Sequence, residues 1–202
     1  MTEDKKESLV TGSYSCDLFL EIKGFEDSGI LNGLMLREWL ISMLPWPHIM
    51  RERVRWLVFI GSLKREDDNP NIIRRGECFP PHDGEGALIN IYRLQDGLPL
   101  ERSRSLMRHV VYHEISHVVY GSLRGKAQKH WLSLIDLSNP ESSIVQSETM
   151  LNPQEEFAEC YAHYIQQPNV LKDVSNEKYD FLRVEIFGNR EYWDFMPSST
   201  LY

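Results

Sequence analysis

The chain has 202 residues, 42% of them hydrophobic and 26% charged, which suits one globular domain with one sizeable core. A net charge of −8, with no polybasic run, argues against nucleic acid or an anionic membrane as the main partner. Three cysteines, Cys16, Cys78 and Cys160, with no Cys-x-x-Cys pair, offer neither a disulfide framework nor a thiolate zinc knuckle.

Residues 1–14 are polar and read as a disordered tail, leaving 15–202 as the single domain. The tail lacks the apolar stretch of a secretory leader, so a cytoplasmic location is expected; export without a cleaved signal also fits. No apolar run approaches the roughly 20 residues that a bilayer span needs. "CDLFLEIKGF" alternates partially and predicts a strand. "GILNGLMLREWLISML" carries apolar residues at helical spacing and stops at Pro45. "PWPHIMRERV" reads as a linker or short helical turn, and "RWLVFIGS" as a buried strand. Residues 63–86 are polar with scattered Pro and Gly, and predict a long surface loop. "ALINIYRL" follows as a further strand.

From Ser103 to Tyr120 the spacing predicts a helix, with Gly121 as its stop. Further helices are expected over "KAQKHWLSLIDLS", "NPQEEFAECYAHYIQQP" and "SNEKYDFLRVEIFG", with "NPESSIVQSETML" as a loop. The tail "REYWDFM" is aromatic enough to pack on the core or to meet a partner. Strands early and helices late predict an α+β domain. Oligomeric state is open.

The central helix contains His113-Glu114-x-x-His117. Residues four apart lie one above the other on a helix, so both imidazoles can reach one ion, while Glu114 stands at the edge of the site. That arrangement suits Zn²⁺ with Glu114 as general base. The bland alternative is a half-buried helix that carries the triplet by accident, but two histidines and a glutamate in such surroundings need partners. Zinc enzymes use three protein ligands, so a third is required. A third histidine six residues after the second fails, because position 123 is Leu. Glu155, Glu159 and His163, four apart on the later helix, are candidates, as is Glu156. Against Glu155 stands a capping box: Asn152 as N-cap, Pro153 at the first position and Glu155 at the third.

"HEISH" followed 38 residues later by "EEFAE" resembles the gluzincin metallopeptidases. The likeness is to the anthrax lethal factor catalytic domain, the Pro-Pro endopeptidases and the Mlc titration factor family, over residues 107–167. The resemblance implies a zincin-like domain: a small sheet, an active-site helix and a C-terminal helical part. It implies Zn²⁺ on His113, His117 and Glu155, with Glu114 as base and Glu159 as an outer partner. The implied activity is zinc-dependent hydrolysis of a protein or peptide, and the alternative is a catalytically inactive zinc-bearing binding module. A third reading is a helical interaction protein without metal.

Two positions depart from the pattern. Glu156 stands where those families have Phe, and Glu148 stands where the lethal-factor group has the Tyr that steadies the oxyanion. Tyr161, Tyr164 and Tyr112 are the substitute donors considered, with a core role the default for each. His109, on the face of His113, is read as an outer donor or a rim residue. In gluzincins a strand just upstream of the active helix forms the edge that holds an extended substrate. Residues 87–93 are therefore read as a substrate shelf or as an ordinary interior strand. Cys78 is considered as an inhibitory thiolate.

Overall fold

The computed structural model describes residues 20–65, 73–81, 85–94, 97–135, 143–144 and 152–193. The expected disordered tail, Cys16, Glu148 and most of the loop before Asn152 lie outside these residues.

The architecture is α+β, with helices packed on a small mixed sheet. β1 (Glu21–Lys23) is followed by a 3-10 turn (Phe25–Ser28), α1 (Gly33–Met43) and the short α2 (Trp46–Ile49). β2 (Val54–Ile60), β3 (Lys64–Arg65), β4 (Ile73–Arg74), β5 (Gly76–Phe79) and β6 (Ala87–Tyr92) come next. The helices α3 (Leu100–Gly121), α4 (Gly125–Ser133), α5 (Pro153–Gln166), α6 (Pro168–Val174) and α7 (Asn176–Phe181) complete the chain, with a π turn over Leu182–Ile186.

The main sheet has the order β1-β2-β6-β5. β1, β2 and β6 run parallel, with Leu57 opposite Ile89, and β5 closes the edge antiparallel to β6, with Cys78 opposite Ile89. Ala87, Ile89 and Ile91 alternate into the core on β6, as a strand with one buried face requires. This corrects one expectation. The 63–86 stretch is not all loop: it supplies β3, β4 and the sheet edge β5. Residues 87–92 are consequently an interior strand, paired on both sides, and the edge belongs to Gly76–Phe79.

α1 begins at Asn32, whose side chain accepts from the Met35 N–H, and it buries Leu36, Leu40 and Met43. α3 is 22 residues long, starting at Leu100 behind Pro99 rather than at Ser103. It buries Met107, Val111, Ile115 and Val119 in the core. Side-chain pairs across α3 and α5 join His109 to Gln166, His113 to Glu159 and His117 to Gln154, so the two helices run antiparallel.

Trp131 of α4 is fully buried and donates from Nε1 to the Pro153 carbonyl, tying α4 to the start of α5. The expected last helix is instead α7 followed by the π turn, in which the Phe187 N–H reaches back five residues to the Leu182 carbonyl. Of the aromatic tail, Tyr192 packs into the core and donates to the Met43 carbonyl, while Trp193 stays exposed. Among the described residues no helix is long and apolar enough to cross a membrane.

Candidate metal centre

α3 and α5 form one wall of a cleft of about 1420 Å³, and β5 forms another. His109, His113, Glu114 and His117 line it from α3; Glu155, Glu159 and His163 line it from α5. His109, His113 and His117, and likewise Glu155, Glu159 and His163, repeat at four-residue spacing, so each set forms a row along its helix. The other faces of the same helices carry Tyr112, Ile115, Phe157 and Tyr161 into the core.

The His113-Glu114-x-x-His117 triplet and Glu155 converge. The Nε2 of His113 lies 3.3 Å from Glu155 Oε2, and the Nε2 of His117 lies 3.7 Å from Glu155 Oε1. A zinc ion with bonds of about 2.0–2.1 Å separates tetrahedral ligands by roughly 3.3 Å, so these spacings suit a shared cation. Glu114 offers a carboxylate oxygen 4.0 Å from His117 Nε2, and His113, Glu114 and His117 present ligand atoms within 4.8 Å of one another. Glu155 stands nearer to both imidazoles than Glu114 does to His117, which makes it the better third ligand and leaves Glu114 beside the site. Asn152 caps the helix by accepting the Gln154 N–H, and the Glu155 carboxylate faces the histidines.

Outer partners orient both rings. Glu159 Oε1 accepts from His113 Nδ1 at 3.0 Å, which leaves the Nε2 lone pair facing the site. Gln154 lies 3.1 Å from His117 Nδ1. The atom placed there is the amide nitrogen Nε2; a half-turn of the amide would bring its oxygen to accept Nδ1–H and give His117 the same tautomer as His113. Glu159 is thus an outer partner of His113 rather than a member of the first cage. Glu156 is turned the other way, into a buried ion pair with Lys178 at 2.7 Å. His163 sits one turn beyond Glu159, with Nδ1 3.0 Å from the Glu159 carbonyl, away from Glu155.

The electrostatics favour a cation. Burial works to lower His113, but its hydrogen bonds to Glu155 and Glu159 outweigh this and push it up to about 10. Without a metal, a proton takes the place between His113 and Glu155. Burial, then the charge on His113, lowers His117 to about 4. The hydrogen bond from His113 holds Glu155 low, with burial working against it. Burial would raise Glu159, yet His109 and His113 hold it well below the usual carboxylate range. Burial pushes Glu114 up to about 7, against the pull of His113. Burial also lowers His163 to about 4, helped by His109.

Gly76 on β5 has a role that nothing in its sequence context signals. A β-carbon there would lie 2.6 Å from Glu114 Cγ and 2.8 Å from its Cδ. The edge strand therefore presses its backbone against the carboxylate, leaving no room for a side chain at position 76 unless Glu114 shifts. Set among Arg, Pro and Gly, residues 76–79 carry no strand pattern, so no strand glycine stands out in the sequence. Gln154 is equally silent in the sequence, since a polar residue in a first helical turn carries no signal of its own.

The three tyrosines considered as oxyanion donors are core residues. Tyr161 Oη pairs with His48 Nδ1 at 2.8 Å, and Tyr164 donates to the Arg190 carbonyl at 2.6 Å. Tyr112 is fully buried against Trp39, and its hydroxyl has no partner among the described residues. Their helix positions point away from the cleft, and no described tyrosine lines it. Cys78 lines the cleft, where burial and then the Glu114 charge push its thiol up to about 12.

No protein family, curated protein or solved structure matches the chain.

Proposed function

We propose that the chain is a zinc-dependent endopeptidase of the gluzincin kind, with a zincin-like domain. One observation carries this reading. Two imidazole Nε2 atoms each lie within 3.7 Å of the Glu155 carboxylate in an open cleft, with Glu114 beside them. The donor set, two nitrogens and a carboxylate, is one that zinc enzymes use while keeping a coordination position open.

His113, His117 and Glu155 would hold the ion. When bound, zinc supplies Lewis acidity to a water and to the carbonyl oxygen of the scissile bond. Glu114 takes a proton from the attacking water as its oxygen bonds to the carbonyl carbon. It then delivers that proton to the amine nitrogen as the C–N bond breaks. A group near 7 can accept and return a proton at neutral pH, and Gly76 fixes where its carboxylate sits. An extended peptide would pair along Gly76–Phe79, the edge strand that lines the cleft. This moves the expected shelf from residues 87–93 to their neighbour.

The test joins zinc content to cleavage of a degenerate peptide library. The wild type should carry zinc and cleave. Glu114→Gln should keep its zinc and lose cleavage by about 10²–10⁴-fold, the range for a general acid–base group. Glu155→Ala should lose the zinc. A wild type that holds zinc and cleaves nothing would favour the zinc-bearing binding module. A wild type without zinc after metal-replete purification would end both readings.

A further inference from the structure

The row of polar side chains continues one helical turn beyond the first cage, and there the same arrangement repeats. In the first layer, the outer nitrogen of His113 is committed to Glu159, and its inner nitrogen faces the Glu155 carboxylate at 3.3 Å. In the next layer, His109 Nδ1 faces Gln166 Oε1 at 3.1 Å. The Gln166 amide is fixed, because its NH₂ donates to the Ser105 carbonyl at 3.2 Å. His109 Nδ1 must therefore carry a proton, which leaves Nε2 pointing at Glu159 Oε2, 2.9 Å away.

A ring nitrogen with its lone pair and a carboxylate oxygen cannot face each other at that distance unless something positive lies between them. A proton can fill the place, and so can a metal ion. A second imidazole stands nearby. His163 Nδ1 lies 3.8 Å from the same Glu159 oxygen while donating to the Glu159 carbonyl at 3.0 Å, so this nitrogen binds an ion only by giving up that hydrogen bond. The rings of His109 and His163 meet edge to face at 5.0 Å, and those of His113 and His117 at 4.9 Å.

We propose that His109, Glu159 and His163 form a second site for a divalent transition metal of the zinc class, one helical turn from the first. Their ligand atoms lie within 4.8 Å of one another, and all three residues line the cleft, so an ion can enter. Two imidazoles and one carboxylate select zinc, cobalt or nickel over calcium or magnesium, which take oxygen cages. Orienting His113 requires Glu159 Oε1 alone; it gives no reason for two further histidines around Oε2. The second site is the weaker one. An ion there must displace the His109–Glu159 contact and share Glu159 with His113. Its affinity should fall below the first by roughly the 10- to 100-fold that outer partners contribute.

Equilibrium dialysis of the full-length, metal-stripped protein against zinc chloride, read by elemental analysis, tests this. The wild type should saturate at two zinc ions in two separated steps. His163→Gln and His109→Gln should each lose the weaker step and keep the tighter one, and His117→Ala should do the reverse. Thermal melts confirm which variants fold, and either histidine variant suffices if the other does not. Saturation of the wild type at one ion that survives His163→Gln would overturn the second site. So would two ions retained in both histidine variants. One ion in the wild type, lost in His163→Gln and kept in His117→Ala, would support the second site while sinking the first.

Discussion

The two faces of the α3–α5 pair spend the same backbone differently. Toward the cleft, the helices hold His109, His113, His117, Glu155, Glu159 and His163 in rows, linked by contacts of 2.9–3.8 Å. Toward the core, Tyr112, Phe157 and Tyr161 are fully buried, and Phe157 meets Trp131 edge to face. The core face also carries polar groups, and apart from the Tyr112 hydroxyl these, on Glu156, Lys178, His48 and Tyr161, are bonded within the protein. Glu156 and Lys178 are each 2% exposed and are bonded at 2.7 Å, and His48 meets Tyr161 at 2.8 Å. A core partnership is complete within the protein. The cleft side crowds carboxylates and imidazoles that share too few protons, and that surplus is what a cation would satisfy.

The comparison breaks most sharply at Lys178. Lys178→Met leaves the Glu156 carboxylate buried without its counter-ion, and should cost about 3–5 kcal/mol in urea unfolding. Adding Glu156→Leu should recover most of that loss, because a closed buried pair contributes little over apolar packing. A double variant as unstable as Lys178→Met would show that the pair matters for more than mutual neutralisation.

His48 gives a smaller effect that depends on pH. Burial, then the nearby Arg53, lowers it from 6.5 to about 4, so the folded state resists a proton that the unfolded chain accepts. The stability from a neutral His48 is fully present above about pH 6.5 and is lost as pH falls toward 4. At pH 5 this amounts to roughly 2 kcal/mol, at about 1.4 kcal/mol for each tenfold in proton affinity. The loss between pH 7 and pH 5 should shrink by that amount in His48→Phe. An equal loss in both proteins would assign the titration elsewhere.

The finest cut is Gly76→Ala. Its β-carbon would meet Glu114, and the carboxylate is the part that can yield. Zinc content should stay at the wild-type level while turnover falls by up to about a hundredfold, as displacement of a catalytic group does. Unchanged turnover would mean that Glu114 tolerates the shift or has another role.

The sequence made the helices legible because their apolar spacing is long and regular. α3 and α5 fall close to the predicted spans, and the histidine and glutamate rows follow from four-residue spacing alone. The β5 edge was hidden for the opposite reason. Four residues, Gly76–Phe79, set among Arg, Pro and Gly, carry too little alternation to register as a strand. They become one only because β6 offers an unpaired row of hydrogen-bonding groups. The loss of Tyr161 and Tyr164 as candidate donors has a similar origin. Their positions on α5 were plain, but only the packing of His48, Phe187 and Arg190 shows which way that face of the helix turns.

What the sequence determined by itself was therefore a periodic matter: an α+β class, two amphipathic helices, and titratable residues ordered in rows on each. What the tertiary structure decided was which rows meet. The antiparallel packing of α3 on α5 sets Glu155 against His113 and His117, assigns Glu159 to the next layer with His109, and sends Glu156 to Lys178. Adjacent residues on a helix differ by about 100° in direction, so a choice between Glu155 and Glu156 is a choice of which neighbour each faces. That neighbour comes from a part of the chain tens of residues away, and only the folded core fixes it.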